Sequence, residues 1–243
     1  MSRADEPLFE RSRIVVGDDG VQRLRAANVF LAGLGGVGSF AAEALARAGV
    51  GHLTLVDHDV VAPSNRNRQL PALASTEGQK KVALVGGRVR DINPECALTL
   101  RDEFLNPETI PGIVGNGFDF VVDAIDSLNC KAALLEHCYH ERVPAAAAMG
   151  AGGRTDPTRL VSGDLMDSMG CPLARFVRKR LRKRGVGRGI LAVWSNEHPR
   201  PPLPPEPATY GRDRAVNGTV SYLPGLIGLT LAGLVIQRLL GEP

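Results

Sequence analysis

The chain has 243 residues, 44% of them hydrophobic, a formal net charge of +3 and a pI near 8.8. This length suits one large α/β domain, and the weak net charge leaves an anionic partner open. Residues 1–6 lack the apolar core of a signal peptide, and the four cysteines form no C-x-x-C pair. We therefore expect a cytoplasmic protein with reduced thiols and no zinc.

Alternating apolar runs and helical patterns predict a layered sheet. In chain order, strands are predicted at 28–32, 52–56, 97–100, 118–124 and 143–149, and helices at 39–48, 77–92 and 131–142. Beyond residue 150, strands at 159–163 and 189–194 flank a basic helix. The alternation predicts an α/β fold with a Rossmann-like, doubly wound, mostly parallel sheet, a C-terminal mixed extension and a terminal helix.

The C-terminal region contains two unusual stretches. Six prolines in 198–207 bar a helix or a central strand and predict an extended crossover or loop. The apolar run 220–240 is long enough to span a bilayer. Pro224, three glycines and the late Gln237-Arg238 favour instead a buried or dimer-facing terminal helix.

The most informative motif is a glycine turn between the first predicted strand and the first predicted helix. It contains Gly33, Gly35, Gly36 and Gly38. Such a turn lets backbone amides approach phosphates at a helix N-terminus, although a tight turn without a ligand has the same pattern. Asp57 lies nineteen residues beyond Gly38 at a strand end, where a carboxylate can bind ribose hydroxyls. These features alone fit NAD equally well.

Basic residues beyond Asp57 favour a triphosphate. Arg68 and Lys81 are expected near the carboxyl ends of the strands, where an arginine fork and a lysine point charge would bind phosphate oxygens. The alternative is a solvated basic loop and helix surface. Asp126 ends another strand and would hold Mg²⁺ that bridges phosphates, or would cap the next helix, or both. We therefore predict ATP and Mg²⁺ as ligands.

Further motifs resemble the ubiquitin-activating-enzyme-like family of ThiF and MoeB type. The similarity is closest to its branch that dehydrates threonylcarbamoyladenosine in tRNA. It runs over 13–189, is strongest before residue 163, and is carried by residues 41–47, 92–96, 123–127, 150–153, 156–157 and 172–174. The resemblance implies a homodimeric enzyme that adenylates a carboxylate with ATP. It also implies an ATP-binding core at 1–163 with an N-terminal arm, and an extension at 164–243 packed on the same domain.

The resemblance assigns roles to individual positions. Gly35 and Gly36 would line the phosphate path, Asp57 would bind ribose, and Arg13, with neighbouring Arg11 as the alternative, would reach in from the second subunit. The remaining implied positions are Asn65, Arg68 and Lys81 for the phosphates, Asp126 for the metal and Ser127 beside the nucleotide.

Two departures from the family pattern bear on the reaction. Sulfur-carrier adenylyltransferases usually carry paired C-x-x-C motifs and a cysteine on a mobile loop, and this chain has neither. Dehydratases often have a cysteine in the late stretch 212–217, where Ala215 or a neighbour stands here. These differences weaken the sulfur-carrier interpretation and argue against a covalent thiol step.

A dense group of cations follows the core motifs. It would neutralise tRNA backbone phosphates, or alternatively form a solvated helix surface. No aromatic-rich motif accompanies it, so base recognition would have to come from the pocket. Its members are Arg175, Arg178, Lys179, Arg180, Arg182, Lys183, Arg184 and Arg188.

Three functions remain open at this point. The first is ATP-dependent dehydration, by cyclisation, of threonylcarbamoyladenosine in tRNA through an acyl-adenylate. The second is adenylation of the C-terminal glycine of a sulfur-carrier or ubiquitin-like protein. The third is an NAD-binding module, against which Arg68 and Lys81 argue. A sulfur-transfer or cysteine desulfurase partner also remains open, and no membrane partner is expected.

Overall fold

The fold is a seven-stranded sheet with helices on both faces. The computed structural model describes residues 7–115, 117–206 and 214–241. The strands are β1 Asn28–Ala32, β2 His52–Val56, β3 Ala97–Arg101, β4 Phe120–Asp123, β5 Ala145–Ala148, β6 Leu160–Asp164, β7 Leu191–Ser195, β8 Leu203–Glu206 and β9 Arg214–Val216. The helices are α1 Glu10–Ala26, α2 Gly38–Ala48, α3 Lys81–Ile92, α4 Ile110–Ile113, α5 Leu128–His140, α6 Pro172–Lys183 and α7 Tyr222–Leu240.

The sheet has the order β3-β2-β1-β4-β5-β7-β6, and every pair is parallel except β6 with β7. From β1 the chain builds the sheet outward in one direction through β2 and β3, and then in the other direction from β4. Open α/β sheets bind ligands at such a switch point, here between β1 and β4. Alternate residues of β1 face opposite layers: Val29 and Leu31 join the core beneath α2, α3 and α7, and Phe30 joins the core beneath α5 and α6. The predicted Rossmann-like sheet is confirmed.

The terminal helix α7 packs on α2 in the first of these layers. Glycines make the close approach: a Cβ at Gly228 would lie 2.3 Å from the Val37 carbonyl oxygen, and one at Gly225 would meet the Phe40 ring. Ile227 and Leu231 of α7 are fully buried. By length and composition α7 is the one membrane-span candidate among the described residues. Its packing on α2 buries one face of the helix, in keeping with the predicted buried or dimer-facing terminal helix.

Helix α1 was not predicted. It bends at Gly17, which has φ 71°, and its second half packs on α7, where Arg23 Nη1 donates to the Leu240 carbonyl at 2.6 Å. Gly17 and the polar Asp18 and Asp19 interrupt the helical pattern in the sequence. Tertiary packing therefore stabilises a helix that its local sequence does not indicate.

Several predicted boundaries were wrong. The helix predicted at 77–92 begins at Lys81, because Gly78 has φ 77° and Lys80 still pairs with Val60 in a β-bridge. The helix predicted at 131–142 begins at Leu128. In the proline-rich stretch, β8 pairs only with β9 in a two-stranded sheet, in keeping with the predicted extended crossover. Residues 207–213 lie outside the described residues. They include the end of the proline-rich stretch 198–207 and the start of the stretch 212–217, where dehydratases often have a cysteine.

All four cysteines are unpaired and buried. Cys130 and Cys138 lie on the buried side of α5. Burial raises the pKa of the Cys96 thiol to about 11 and that of Cys138 to about 12. Because the thiolate is the nucleophile, these two side chains are inert at neutral pH.

Candidate functional site

The glycine turn connects β1 to α2 at the carboxyl edge of the sheet. Gly33 has φ 87°, and a Cβ there would lie 2.8 Å from the Ala124 carbonyl oxygen after β4. A Cβ at Gly38 would lie only 1.7 Å from the Gly33 carbonyl oxygen. The fold itself therefore requires these two glycines, whatever binds to the turn.

The two glycines between them have a different environment. A Cβ at Gly35 would meet nothing closer than Gln69 Nε2 at 3.7 Å, which is ordinary van der Waals distance. At Gly36 the nearest atoms would be Pro224 Cβ at 3.1 Å and Arg68 Cγ at 3.3 Å. Packing within the chain does not demand glycine at Gly35, so close approach by a ligand is the remaining reason for it.

Asp57 ties the end of β2 to the turn. Its Oδ2 accepts a hydrogen bond from the Leu34 amide at 2.6 Å, and its Oδ1 accepts one from the Asp59 amide at 2.8 Å. Burial raises the pKa of this carboxyl, while the two amides and the positive charge of Lys81 act in the opposite direction. The side chain is thus held rigidly beside the turn.

Two basic side chains lie near the turn, one beside Asp57 and one beside Gly36. Lys81 is the first residue of α3, and its buried Nζ lies 2.8 Å from Asp59 Oδ2. Arg68 lies against Gly36, where its Nη1 donates to the Ser64 carbonyl and to Asn67 Oδ1, both at 2.9 Å. Among the described residues no carboxylate pairs with Arg68, so its charge is uncompensated.

The other predicted residues lie at different distances from this group. Asn65 Oδ1 accepts from the Ala62 amide at 3.1 Å and shapes the loop that carries Arg68. Asp126 and Ser127 lie shortly after the end of β4, and Ala124, the first residue after that strand, contacts Gly33. The Asp126 side chain is exposed. The N-cap residue of α5 is Ser127, so the alternative of Asp126 as N-cap was wrong.

Arg13 is not part of this group in a single chain. It lies on α1, where its Nε is 2.7 Å from Asp18 Oδ1. Next to it on α1, Ile14 and Val15 are 75% and 84% exposed. Arg11 lies in the same helical turn. The first half of α1 therefore presents Ile14 and Val15 to solvent, and Arg13 is engaged with Asp18 rather than with the glycine turn.

Sequence reasoning missed three contributors to the site. Gln69 is buried next to Gly35, and its Oε1 has no hydrogen-bond partner among the described residues. Pro224 at the start of α7 contacts Gly36, and the nearby Thr219 carbonyl accepts from Asn67 Nδ2 at 2.9 Å. Phe104 beyond β3 is half exposed with its ring 4.8 Å from that of His58. Only Gln69 carried a sequence signal, since it ends the polar motif 65–69.

Acidic groups at this edge include one cluster suited to a metal ion. Among the described residues, Asp57, His58 and Asp59 place ligand atoms within 4.8 Å of one another. Asp59 already forms close polar contacts with Lys81 and His58, and Asp57 already accepts hydrogen bonds from two backbone amides. The predicted ligand Asp126 lies outside this cluster.

Comparison with known proteins gives a consistent result. The ThiF family model matches residues 9–243. The tRNA threonylcarbamoyladenosine dehydratase of Bacillus subtilis is 38% identical over 241 residues, covering 96% of this chain and 95% of that protein. A Haemophilus influenzae molybdopterin-synthase adenylyltransferase is 34% identical over 146 residues, covering 59% of this chain and 60% of that protein.

A solved structure matches over nearly the whole chain. The crystal structure of the Escherichia coli tRNA N6-threonylcarbamoyladenosine dehydratase in complex with ATP has a TM-score of 0.87 and 33% sequence identity. The match covers 99% of this chain and 96% of that one.

Proposed function

This chain belongs to the ThiF family, and we propose that it is an enzyme that uses ATP to dehydrate threonylcarbamoyladenosine in tRNA. The observation that carries the proposal is Arg68 lying against the glycine turn without a carboxylate partner in the described part of the chain, with buried Lys81 paired to Asp59 and close enough to Asp57 to oppose the rise in pKa that burial causes there. Two positive charges at a phosphate-binding turn suit a nucleoside triphosphate better than a dinucleotide. The dehydratase similarity over the full chain supports this substrate over a carrier protein.

The residues present fit ATP. The absence of a side chain at Gly35 leaves the backbone accessible to phosphates near the N-terminus of α2, and the neighbouring buried Gln69 has an Oε1 without a partner among the described residues, an acceptor for a ligand donor. Asp57 keeps acceptor capacity for ribose hydroxyls, since each carboxylate oxygen accepts more than one hydrogen bond. Asn65, Arg68 and Lys81 would hold the phosphates, with Ser127 at the opposite wall.

ATP supplies the leaving groups for the reaction. A threonyl carboxylate oxygen bonds to the α-phosphorus and pyrophosphate leaves; a nitrogen of the same side chain then attacks the activated carbonyl carbon, loses its proton and expels AMP. The net change in the nucleoside is ring closure with loss of one water. Arg68 and Lys81 would stabilise the negative charge that moves onto the departing phosphates. Mg²⁺ held by Asp126 would neutralise part of the same charge.

We further propose a cytoplasmic homodimer in which Arg13 completes the partner's site. Arg13 is engaged away from the glycine turn of its own chain, and the exposed Ile14 and Val15 beside it suit an interface. A light-scattering mass near twice the 25.9 kDa of the chain is expected. A monomeric mass in an active sample would contradict this proposal.

The test of the proposed function is direct. Bulk tRNA carrying threonylcarbamoyladenosine is incubated with enzyme and magnesium-ATP, and released pyrophosphate and AMP are measured beside the mass of the nucleoside. We expect stoichiometric release with loss of one water. Release that occurs only with a small protein ending in Gly-Gly would overturn the dehydratase and support carrier adenylation.

The turn offers a matched pair of variants that separates ligand binding from folding. Gly35→Ala is expected to leave the melting temperature close to the wild type, because its Cβ meets only ordinary contacts, but to weaken ATP binding at least about tenfold, ~1.4 kcal/mol. Gly38→Ala is expected to destabilise the fold by more than about 2 kcal/mol, because its Cβ overlaps the Gly33 carbonyl.

Calorimetric titration with ATP and thermal unfolding measure the two effects. Wild-type ATP affinity in Gly35→Ala would remove the argument that phosphates approach this residue. A wild-type melting temperature in Gly38→Ala would contradict the steric account of the turn.

A further inference from the structure

Helix α6 is the most strongly charged part of the molecule. Between Ser168 and Asn196 there are eight basic residues and no acidic one. The whole chain has a net charge of only +3, so the rest of the chain is net acidic. The positive charge is therefore concentrated on one helix and the loop that follows it.

Four of the eight cations are bound to the protein itself. Arg180 and Arg184 reach α5, where they contact Asn129 Oδ1 and Glu136 Oε2. On the other flank, Arg178 Nη1 donates to Ser168 Oγ at 3.1 Å. Arg188 forms a bidentate pair with Asp167. Arg184 and Arg188 thus have carboxylate partners that compensate their charge, while Arg178 and Arg180 are held by neutral oxygens that fix their side chains against the protein.

The other four cations form a stripe that faces solvent, which we call the α6 stripe: Arg175, Lys179, Arg182 and Lys183. They recur at helical spacing, opposite the buried Ala174, Val177 and Leu181. In the described part of the chain none of the four forms an ion pair. Arg175 lies over the half-exposed ring of Phe176, 5.1 Å from its centroid, which leaves its charge unneutralised.

The stripe begins at the edge of the sheet that holds the glycine turn. A Cβ at Gly150, just beyond β5, would lie 3.6 Å from Cys171 Sγ, the residue before α6. Gly170 packs on Asn196, just beyond β7. From there α6 runs for about 18 Å toward the opposite edge, at 1.5 Å per residue. A polyanion entering the site at the carboxyl edge would thus lie along these four side chains.

Building on the proposed function, we propose that the α6 stripe binds the phosphate backbone of the tRNA substrate. The four cations are long, exposed and uncompensated, as a backbone contact requires, and they sit on a rigid helix fixed by its flanking pairs. Backbone contacts position the nucleic acid without reading its sequence. Selection of the modified base is then left to the pocket at the sheet edge.

The test compares two charge-matched double variants. The first, Lys179→Gln/Lys183→Gln, removes two stripe cations. The control, Arg47→Gln/Arg90→Gln, removes two exposed arginines of α2 and α3 in the opposite layer. In the control Glu43, the ion-pair partner of Arg47, keeps its second ion pair with Arg88. Filter binding of bulk tRNA is measured from low to high salt. We expect the stripe variant to bind about tenfold more weakly, with a log-log salt slope shallower by about two, and the control to match wild type.

The outcomes separate this inference from the proposed function. Loss of tRNA affinity confined to the stripe variant supports the stripe, even if no water is lost from the nucleoside. Equal binding by wild type and both variants overturns it, even if the enzyme is an active dehydratase. Equal losses in both variants, or stripe-dependent binding to anionic phospholipid vesicles without tRNA binding, would also overturn it.

Discussion

Replacement of Arg68 by alanine is expected to lower ATP turnover by about 10³-fold without unfolding the protein. The aliphatic part of Arg68 lies against Gly36, and its guanidinium is held in place by the Ser64 carbonyl and Asn67 and has no carboxylate partner among the described residues. Its charge is thus free to stabilise a developing phosphate charge. Because these are hydrogen bonds at the surface of a loop, their loss should change the melting temperature only slightly.

The matched control is Arg66→Ala, two residues away on the same loop. Arg66 pairs with Glu77 at 3.2 Å on the exposed side, so its removal should leave turnover within about twofold of wild type. Pyrophosphate release, ATP titration and thermal unfolding are measured on both variants. Normal turnover in a folded Arg68→Ala protein would refute the assignment of Arg68 to the phosphates.

Replacement of Lys131 by methionine is expected to cost about 3–5 kcal/mol of unfolding free energy. Lys131 Nζ lies 2.7 Å from Asp123 Oδ2, and both side chains are fully buried. Methionine has a similar length but leaves the Asp123 carboxylate without its countercharge at the end of β4. Urea denaturation at neutral pH measures the loss, and a change below about 1 kcal/mol would show that the pair is not strongly coupled to folding.

The loss should also depend on pH in a defined direction. Burial already raises the pKa of Asp123 above the ordinary value of an aspartate, and removal of Lys131 takes away the charge that opposes this rise. Between the unfolded and folded pKa values the native state binds more protons, so the unfolding free energy falls as pH rises through that window. The difference in unfolding free energy between Lys131→Met and wild type should therefore become smaller at acidic pH.

Much of the fold followed from local sequence. The strands at 28–32 and 52–56 were predicted at their observed bounds, because apolar runs bounded by polar or glycine residues read clearly as buried strands. Helix α1 was missed because Gly17 breaks its pattern and its stability comes from α7, which is distant in sequence. Helix starts shifted where a tertiary bridge, such as Val60 with Lys80, competed with helical propensity.

The sequence predicted those parts of the candidate site that lie at the carboxyl ends of neighbouring parallel strands. Gly33, Asp57 and Lys81 meet because β1 and β2 are neighbours whose carboxyl ends share one edge. Gln69, Pro224 and Phe104 were not predicted to join them, since their positions depend on loop geometry and on the packing of α7. The predicted role of Arg13 in a second subunit stays a prediction, since the single chain places Arg13 beside Asp18.

The contact between Pro224 and Gly36 also constrains the order of events during synthesis. Most of the chain lies between the glycine turn and α7, and the ribosome must make this part before α7 is available to pack on α2. Until then, the sheet face that Ile227, Leu231 and Val235 cover is exposed, and the turn lacks one of its walls. A nascent chain therefore exposes this apolar face of the sheet until α7 has been made, and the Pro224 side of the glycine turn is the last to be added.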